Sequence, residues 1–316
     1  MSKGDGAFVD NVERKLTEYS ALTRQLPGVS DRTNLHSLAL QIKDSWHRVR
    51  YAERILQRPF SPERANPANG QLFHPIKGSL VKMRSGDRDE AFWLVFLYTH
   101  FGRHKKLGWT LASEVYGGHD GGGLWSWIRV SREMQGFRNW LSNYAARVGE
   151  RRPQIGFGNH RKFQSLDAWS SSGTGEAVST YVSWVLEHGG HGALINQALR
   201  AADGEPRLAF DWLYREMSRV ATFGRLGRFD YLCMVGKLKY GGIEPGRLYM
   251  QGATGPVVGV RLLLGASAAA MTCAEMEIEM SRIERHLSLG PFGMQILEDS
   301  LCNWQKSPGE HSRFVA

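Results

Sequence analysis

The spacing of the apolar residues constrains the fold of this chain more than any other feature of its sequence. Along residues 34–58 an apolar side chain recurs every three or four positions, at Leu35, Leu38, Ile42, Trp46, Val49, Ala52 and Leu56. This spacing aligns the side chains on one face of a helix, and Pro59 ends the pattern. No segment sustains the alternation of apolar and polar residues that a half-buried strand requires. The sequence therefore predicts an all-α fold.

The same periodicity predicts the other helices and the division of the chain. The apolar run from Ala91 to Phe101 is expected to form a central buried helix. Further helices are predicted near the N-terminus and at 125–146, 176–187, 192–202, 207–221, 273–287 and 294–305. The stretch 59–78 is rich in Pro and Asn, which is typical of a loop. We expect an N-terminal helical lobe at 1–88 and a larger compact region at 89–316.

The charge balance favours a polyanionic partner. The 316 residues include 40 Lys and Arg against 31 Asp and Glu, which gives a net charge of +9. Basic residues outnumber acidic ones six to one along 138–162 and six to two along 221–261, whereas 275–299 holds six acids. A basic face suits binding to a nucleic-acid backbone. The alternative is that these segments are solvated faces of unrelated helices.

Cysteine content and hydropathy indicate the compartment. The three cysteines form no Cys-x-x-Cys pair and are typical of reduced core residues. The N-terminus lacks an apolar signal core, and no apolar run has the length of a membrane span. We therefore expect a cytoplasmic protein with no membrane contact and no obligate protein partner. His100 and His104 lack a third ligand, so we expect no metal ion and no other cofactor.

Two glycine-containing turns precede apolar helical stretches. The first, TFGRLGRFDYL at 222–232, has the G-x-x-G spacing of a helix-hairpin-helix motif, and the second is QGATGPVVG at 251–259. Backbone N–H groups at such turns can converge on a phosphate oxygen. We predict phosphate contacts from Gly224, Arg225, Gly227, Arg228, Gln251, Gly252, Thr254, Gly255 and Arg261. The alternative is that the glycines only cap preceding helices.

Polar and ionisable residues crowd the segment GFGNHRKFQSLD at 156–167. Amide side chains can read a base edge, aromatic rings can stack on an extruded base, and Arg and Lys can hold phosphate. We predict base contacts from Asn159, His160, Phe163 and Gln164. Phosphate contacts are predicted from Arg161, Lys162 and, in the basic segment HFGRHKK, His104 and Lys105. The alternative is a surface loop in which Asp167 caps the next element.

The last predicted helix carries two adjacent carboxylates, Glu298 and Asp299, beside apolar side chains. A partly desolvated carboxylate can stabilise a cationic sugar or accept a proton from water. On this helix Gln295 is expected to contact a base, and Lys306, just beyond it, to contact phosphate. The alternative is that the two acids only complement the helix dipole.

These motifs together resemble those of a known family. The resemblance is to the alpha-glutamyl/putrescinyl thymine pyrophosphorylase family, most closely its third clade, through HFGRHKK, GFGNHRKFQSLDAW, FDWLYREM, FGRLGRFDYL, GATGPVVG and LEDSLCNWQKSP within residues 90–308. That group looks related to helix-hairpin-helix DNA glycosylases. It includes phage enzymes that build hypermodified thymines and Brig-type antiphage glycosylases that remove glucosylated hydroxymethylcytosine. The resemblance implies a helix-hairpin-helix DNA glycosylase-like helical fold with its catalytic region at 89–316.

The sequence departs from helix-hairpin-helix glycosylases at the catalytic carboxylate. In those enzymes an aspartate follows the hairpin by a short helix, and the matching neighbourhood here, 251–255, holds no carboxylate. The resemblance therefore leaves the role to Glu298, Asp299, Asp230 or Asp167. No Schiff-base lysine is assignable, which implies a monofunctional enzyme.

Two activities stay open. The first is a monofunctional DNA glycosylase that flips a bulky modified pyrimidine of double-stranded phage DNA into a roomy pocket and leaves an abasic site. The second is a phage-type transferase that joins an amine or amino acid to an activated 5-hydroxymethylpyrimidine and releases pyrophosphate. A non-enzymatic DNA-binding module is disfavoured by the clustered carboxylates.

Overall fold

Helices supply the regular secondary structure of the described part of the chain. A computed structural model describes residues 3–119, 121–150, 155–158 and 164–312, and these ranges contain no strand. The helices are α1 Lys3–Leu22, α2 Arg32–Leu56, α3 Pro75–Arg84, α4 Arg88–Phe101, α5 Thr110–Gly117, α6 Trp127–Arg132, α7 Met134–Glu150, α8 Thr174–Glu187, α9 His191–Ala201, α10 Pro206–Glu216, α11 Arg225–Lys237, α12 Gly255–Leu264, α13 Cys273–Leu287 and α14 Gly293–Trp304. The all-α prediction is confirmed, whereas the likeness to helix-hairpin-helix glycosylases stays a prediction.

Two of the predicted elements are wrong in detail. The helix expected at 125–146 is two helices, α6 and α7, because Glu133 leaves helical geometry at φ −120° and ψ 43°. Within the predicted loop 59–78, Pro75 opens α3, and the side chain of His74 caps that helix. Proline suits a first helical position because its missing N–H would have no partner there.

Contacts within the chain divide it into two compact units. The terminal unit joins the chain up to Arg54 to the chain from Glu244 onward, and the central unit runs from Ile55 to Ile243. The terminal unit contains α1, most of α2 and α12 to α14, and the central unit contains α3 to α11. The division expected between residues 88 and 89 stays a prediction about domains.

Close backbone packing holds α12 in the terminal unit. A methyl group on Gly259 would overlap the carbonyl oxygen of Leu301 in α14, and one on Gly255 would press on the sulfur of Cys302. Gly28, in the turn before α2, approaches the backbone of α12 as closely. The glycines of the GATGPVVG motif therefore allow the backbones of α12 and α14 to come into contact.

The centre of the central unit is α4, the run predicted to form a buried helix. Trp93 is fully buried, and its indole N–H donates to the carbonyl oxygen of Trp125 at 2.9 Å. Glu90, also buried, accepts hydrogen bonds from the hydroxyl of Tyr116 at 2.6 Å and the backbone N–H of Trp127 at 2.7 Å. Burial raises the pKa of Glu90, although both hydrogen bonds oppose the shift.

No single helix in the described ranges is long and apolar enough to cross a membrane. One bent pair, Gly255–Ala268 with Cys273–Leu287, meets the length and composition requirement when the two are taken together.

We expect Gly259→Ala to destabilise the protein by about 1–3 kcal/mol, because the added methyl group overlaps backbone that moves only if α12 and α14 separate. The free energy of unfolding is measured by urea titration followed by circular dichroism. Gly149→Ala on α7 is the control, since its methyl group meets open space and alanine favours the helix. Equal stability of Gly259→Ala and the wild-type protein would contradict this packing.

Candidate functional site

A small cleft in the central unit brings together residues that are distant in sequence. It contains about 170 Å³ of empty space, part of it open to solvent, and its lining residues are Thr99, His100, Gln164, Thr222, Phe223 and Gly227. They come from the end of α4, the segment before α8, and the turn into α11. Pockets that enclose drug-sized ligands usually measure roughly 300–1,000 Å³. This cleft is therefore not the roomy pocket expected for a bulky base.

His100 is held in one orientation by a chain of two hydrogen bonds. The hydroxyl of Thr174 donates to the carbonyl oxygen of Ser165 at 2.7 Å, so its oxygen accepts from Nε2 of His100 at 2.9 Å. This order places the proton of a neutral imidazole on Nε2. The ring of Phe223 lies 6.1 Å from that of His100, within 9° of parallel. The rings of His100 and Phe223, which both line the cleft, are thus nearly parallel.

Gln164 and Thr222 contribute polar atoms to the cleft region. Nε2 of Gln164 lies 3.5 Å from the carbonyl oxygen of Thr222. Oε1 of Gln164 and Oγ1 of Thr222 are shielded from solvent, and neither has a hydrogen-bond partner among the described residues. Thr222 has a φ of 64°, in the left-handed region that a β-branched side chain disfavours.

An aromatic layer lies behind the cleft. Phe96 stacks on Phe223 with 5.0 Å between ring centroids and on Tyr181 with 4.1 Å. All three side chains are buried. The layer gives the cleft an apolar floor that cannot move without repacking the core.

A chain of hydrogen bonds joins the surface to this aromatic layer. Nδ1 of His191 donates to Asp89 at 2.6 Å, the hydroxyl of Tyr181 donates to Nε2 of His191 at 2.7 Å, and the hydroxyl of Tyr231 donates to Tyr181 at 2.8 Å. Burial lowers the pKa of His191, although Asp89 opposes the shift, so the imidazole is neutral. This series of hydrogen bonds connects α4, α9, α8 and α11 and fixes the position of α11.

The first predicted glycine turn forms the start of α11. Gly224 precedes the helix and is exposed, and Gly227 lies in its first turn. Arg228 donates to the carbonyl oxygen of Tyr214 at 3.0 Å and lies 4.3 Å from the centre of its ring. Arg225 lies over the ring of Phe229 in the same helix. Arg228 therefore ties α11 to α10, whatever further contact it makes.

The motifs GFGNHRKFQSLD and HFGRHKK are adjacent at the end of α4. The N–H of Gly158 donates to the carbonyl oxygen of Phe101 at 2.8 Å, and Phe157 stacks on Phe101 with 5.5 Å between centroids. His104 lies in the turn after α4, where its Nδ1 accepts two backbone N–H groups. Lys105 is exposed beside it.

Five predicted contacts lie outside the described residues: Asn159, His160, Arg161, Lys162 and Phe163. Gln164, the next residue, is the predicted base contact that the structure places at the cleft.

The second glycine turn belongs to the terminal unit. Gly255 starts α12, and Glu277 fixes the segment before the turn by accepting two backbone N–H groups at 2.7 and 2.8 Å. The exposed residues of this unit with predicted phosphate contacts are Gln251, Gly252, Thr254, Arg261 and Lys306. The turn therefore has the exposure that a phosphate contact needs.

The two carboxylates of α14 differ in their surroundings. Asp299 accepts from the hydroxyl of Ser45 at 2.9 Å and from Arg48 at 3.3 Å, and its side chain is 29% exposed. Glu298 is buried. Gln295 is also buried, and its Oε1 has no hydrogen-bond partner in the part of the chain that the structure describes. Asp299 thus fastens α14 to α2.

The two carboxylate candidates of the central unit also differ. Asp167 is exposed and accepts the backbone N–H groups of Ser170 and Trp169, each at 2.7 Å. These two hydrogen bonds hold the pKa of Asp167 below its usual value. Asp167 thus fills a turn-capping role. Asp230 lies three residues after Gly227 on α11, which is the spacing of neighbours on one helix face.

Four cleft residues are not among the predicted site residues: Thr99, His100, Thr222 and Phe223. All four lie in or beside segments that the sequence marks as functional, HFGRHKK and TFGRLGRFDYL. Only tertiary contacts distinguish them, since no local pattern brings the end of α4 to the start of α11.

His100 and His104 have separate partners, Thr174 and the turn after α4. Within the described ranges, no three His, Cys, Asp or Glu side chains are placed to hold a metal ion.

Comparison with other proteins places the chain in a family. No curated protein and no solved structure matches it. A model of the family described as alpha-glutamyl/putrescinyl thymine pyrophosphorylase clade 3 matches residues 33–316. Because the match covers almost the whole chain, the resemblance expected from the motifs is confirmed, and the protein belongs to the alpha-glutamyl/putrescinyl thymine pyrophosphorylase family, clade 3.

Proposed function

We propose that the protein is a monofunctional DNA glycosylase that excises a bulky modified pyrimidine, such as glucosylated 5-hydroxymethylcytosine, from phage DNA. Its family is one of enzymes that act on modified bases in DNA, which supports a DNA substrate. The observation that carries the proposal is the cleft, where His100, Gln164 and Gly227 of three separate motifs line one space. Removal of such bases in the cytoplasm would serve antiphage defence.

Backbone contacts would hold the duplex while one nucleotide is extruded. The net charge of +9 favours the phosphate backbone, and the exposed turn at Gly224 in the central unit presents N–H groups without a side chain in the way. Extrusion costs a few kcal/mol of stacking and pairing. Contacts to phosphate, together with contacts between the extruded base and the aromatic layer at Phe223, would offset this free-energy cost.

The chemical step breaks the bond between C1′ of the sugar and N1 of the base. The bonding electrons leave with the base, and positive charge develops on C1′ and the ring oxygen. A fixed carboxylate stabilises that charge, and water then adds to C1′ and gives up a proton, which leaves a neutral base and an abasic site. Among the four candidates, Asp230 lies on the helix whose residue Gly227 lines the cleft, which favours it for this role.

The second candidate function is the transferase. The observation that favours it is the description of the family, which names pyrophosphorylases. Such an enzyme would join an amine or amino acid to the activated base, release pyrophosphate and leave the bond to the sugar intact. The two functions therefore give different products from DNA.

We expect the purified protein to release free modified base and create alkali-labile sites in phage DNA that carries glucosylated 5-hydroxymethylcytosine. The products are measured by mass spectrometry of the released base and by gel electrophoresis after alkali treatment. Unmodified DNA of the same sequence is the control and should stay intact. If every base stays attached to the modified DNA, the glycosylase is excluded. Pyrophosphate release from DNA with a pyrophosphorylated hydroxymethylpyrimidine would then establish the transferase.

We expect Gly227→Ala to lower base release at least tenfold, because its methyl group would lie 3.3 Å from the ring of Phe223 and narrow the cleft. Single-turnover kinetics on the modified duplex measure the effect. Gly149→Ala is the matched control, since it adds the same methyl group to a helix in open space. Full activity of Gly227→Ala, with stability equal to that of the control, would exclude the cleft as the site.

We expect Asp230→Asn to lower the rate of base release by about 10²-fold or more, because the amide cannot stabilise positive charge at C1′. Glu298→Gln, Asp299→Asn and Asp167→Asn are assayed beside it, with thermal unfolding measured for each. Asp211→Asn, at a surface ion pair with Arg215, is the control. A comparable loss confined to Glu298→Gln or Asp299→Asn, without loss of stability, would move the catalytic role to α14.

A further inference from the structure

We infer that Gln164 and Thr222 form a subsite that reads the hydrogen-bonding edge of the extruded pyrimidine, while its bulky substituent stays outside the cleft. The inference rests on the proposed function and adds to it the part of the base that is recognised. The ligand of this subsite is a flat heterocycle that presents an N–H donor next to an acceptor atom.

The amide of Gln164 is oriented by the backbone. Its Nε2 lies 3.5 Å from the carbonyl oxygen of Thr222, which can only accept, so this orientation of the amide is favoured over the reversed one. Oε1 is therefore the atom that still needs a donor. It is shielded from water and lacks a partner within the described ranges, which is a state that costs free energy until a ligand supplies an N–H group.

Thr222 is fixed in a disfavoured backbone conformation beside this amide. The N–H of Ala221 donates to the hydroxyl of Thr180 at 2.9 Å, and the N–H of Phe223 donates to the carbonyl oxygen of Val220 at 3.2 Å. These bonds hold the turn at both sides of Thr222, which has a φ of 64°. Strain of this kind persists where the surrounding structure imposes it, and it is frequent at binding sites.

The hydroxyl of Thr222 complements the amide of Gln164. A hydroxyl both donates and accepts, and Oγ1 of Thr222 also lacks a partner in the described part of the chain. The cytosine edge offers an amino donor beside the acceptor N3, so the amino group suits Oε1 of Gln164 and N3 suits the hydroxyl. Extruded bases are commonly read on this edge.

The size of the cleft agrees with recognition of the edge alone. The figure of about 170 Å³ includes space open to solvent, and the enclosed part has room for about one water molecule, so the cleft suits the edge of a pyrimidine ring and not a whole base with an attached hexose. The substituent at C5 adjoins C4, which carries the amino group, but it lies on the C5–C6 edge of the ring and not on the edge that holds N3. A base that presents its amino group and N3 to the cleft therefore leaves its C5 substituent beside the cleft and not within it.

The test measures the binding of two DNA duplexes, independently of base release. One duplex carries a glucosylated 5-hydroxymethylcytosine on a 2′-fluoro sugar, which resists cleavage because fluorine disfavours positive charge at C1′. The other carries an abasic analogue at the same position. The ratio of their dissociation constants, obtained by fluorescence anisotropy at fixed salt, reports the contribution of the base.

We expect the wild-type protein to bind the base-bearing duplex at least tenfold more tightly than the abasic duplex. Gln164→Leu and Thr222→Gly should each remove most of this ratio and leave the affinity for the abasic duplex unchanged. Thr222→Gly should also keep or raise the melting temperature, because glycine adopts a φ of 64° without strain. A merely structural role for Thr222 would leave the ratio unchanged.

Two variants outside the cleft are matched controls. Gln135→Leu makes the same substitution on the exposed surface of α7. Lys239→Gly relieves the same left-handed backbone conformation, at a φ of 59°, in an exposed turn. Both should keep the wild-type ratio of dissociation constants.

An unchanged ratio in both Gln164→Leu and Thr222→Gly would overturn the subsite, as would equal binding of the two duplexes by the wild-type protein. Failure of the proposed function is observed separately, as the absence of base release from the same duplex with an ordinary deoxyribose. A protein that selects the base-bearing duplex through Gln164 and Thr222 but releases no base would retain the subsite and lose the glycosylase.

Discussion

The cleft of the central unit depends on the burial of nearly all of α4 from Glu90 to Phe101. This helix has no face suited to water, so other helices must surround it, and the polar groups at its end must find partners inside the protein. Thr174 provides one such partner by accepting from His100 and passing the hydrogen bond to Ser165. The segment before α8 is thereby drawn to the end of α4. The chemistry of the cleft is thus a consequence of how the core satisfies its own polar groups.

Hydrogen bonds between buried side chains hold the helices of the central unit to one another. The chain from Asp89 through His191 and Tyr181 to Tyr231 crosses four helices, and each member has a donor and an acceptor in the correct order. Glu90 holds Tyr116 and the start of α6 in the same way. The proposed recognition of a base by hydrogen bonds requires cleft walls that are held in place. These buried hydrogen bonds connect the helices that carry those walls to the core of the central unit.

The fold class and the family could be predicted from the sequence, but the assembly of the site could not. Apolar spacing was sufficient for α4, because a run of eleven residues of which nine are apolar has few other solutions in a helical chain. It was insufficient between α6 and α7, since a break at Glu133 leaves the apolar spacing nearly intact. Gln164 could be selected as a polar residue in a dense polar segment. Thr222 could not be selected in this way, because the feature that distinguishes it is a positive φ, which a β-branched residue disfavours.

The composition of the terminal unit from both ends of the chain has a consequence for synthesis on the ribosome. The central unit is continuous, so all of its residues are available once Ile243 has left the exit tunnel. α1 and most of α2 must wait for α12 to α14 before their apolar faces can be covered, although they precede the central unit in the chain. During that interval the two helices expose apolar side chains that the folded terminal unit buries. We therefore expect chaperones to bind the nascent protein at α1 and α2 until α12 to α14 have been made.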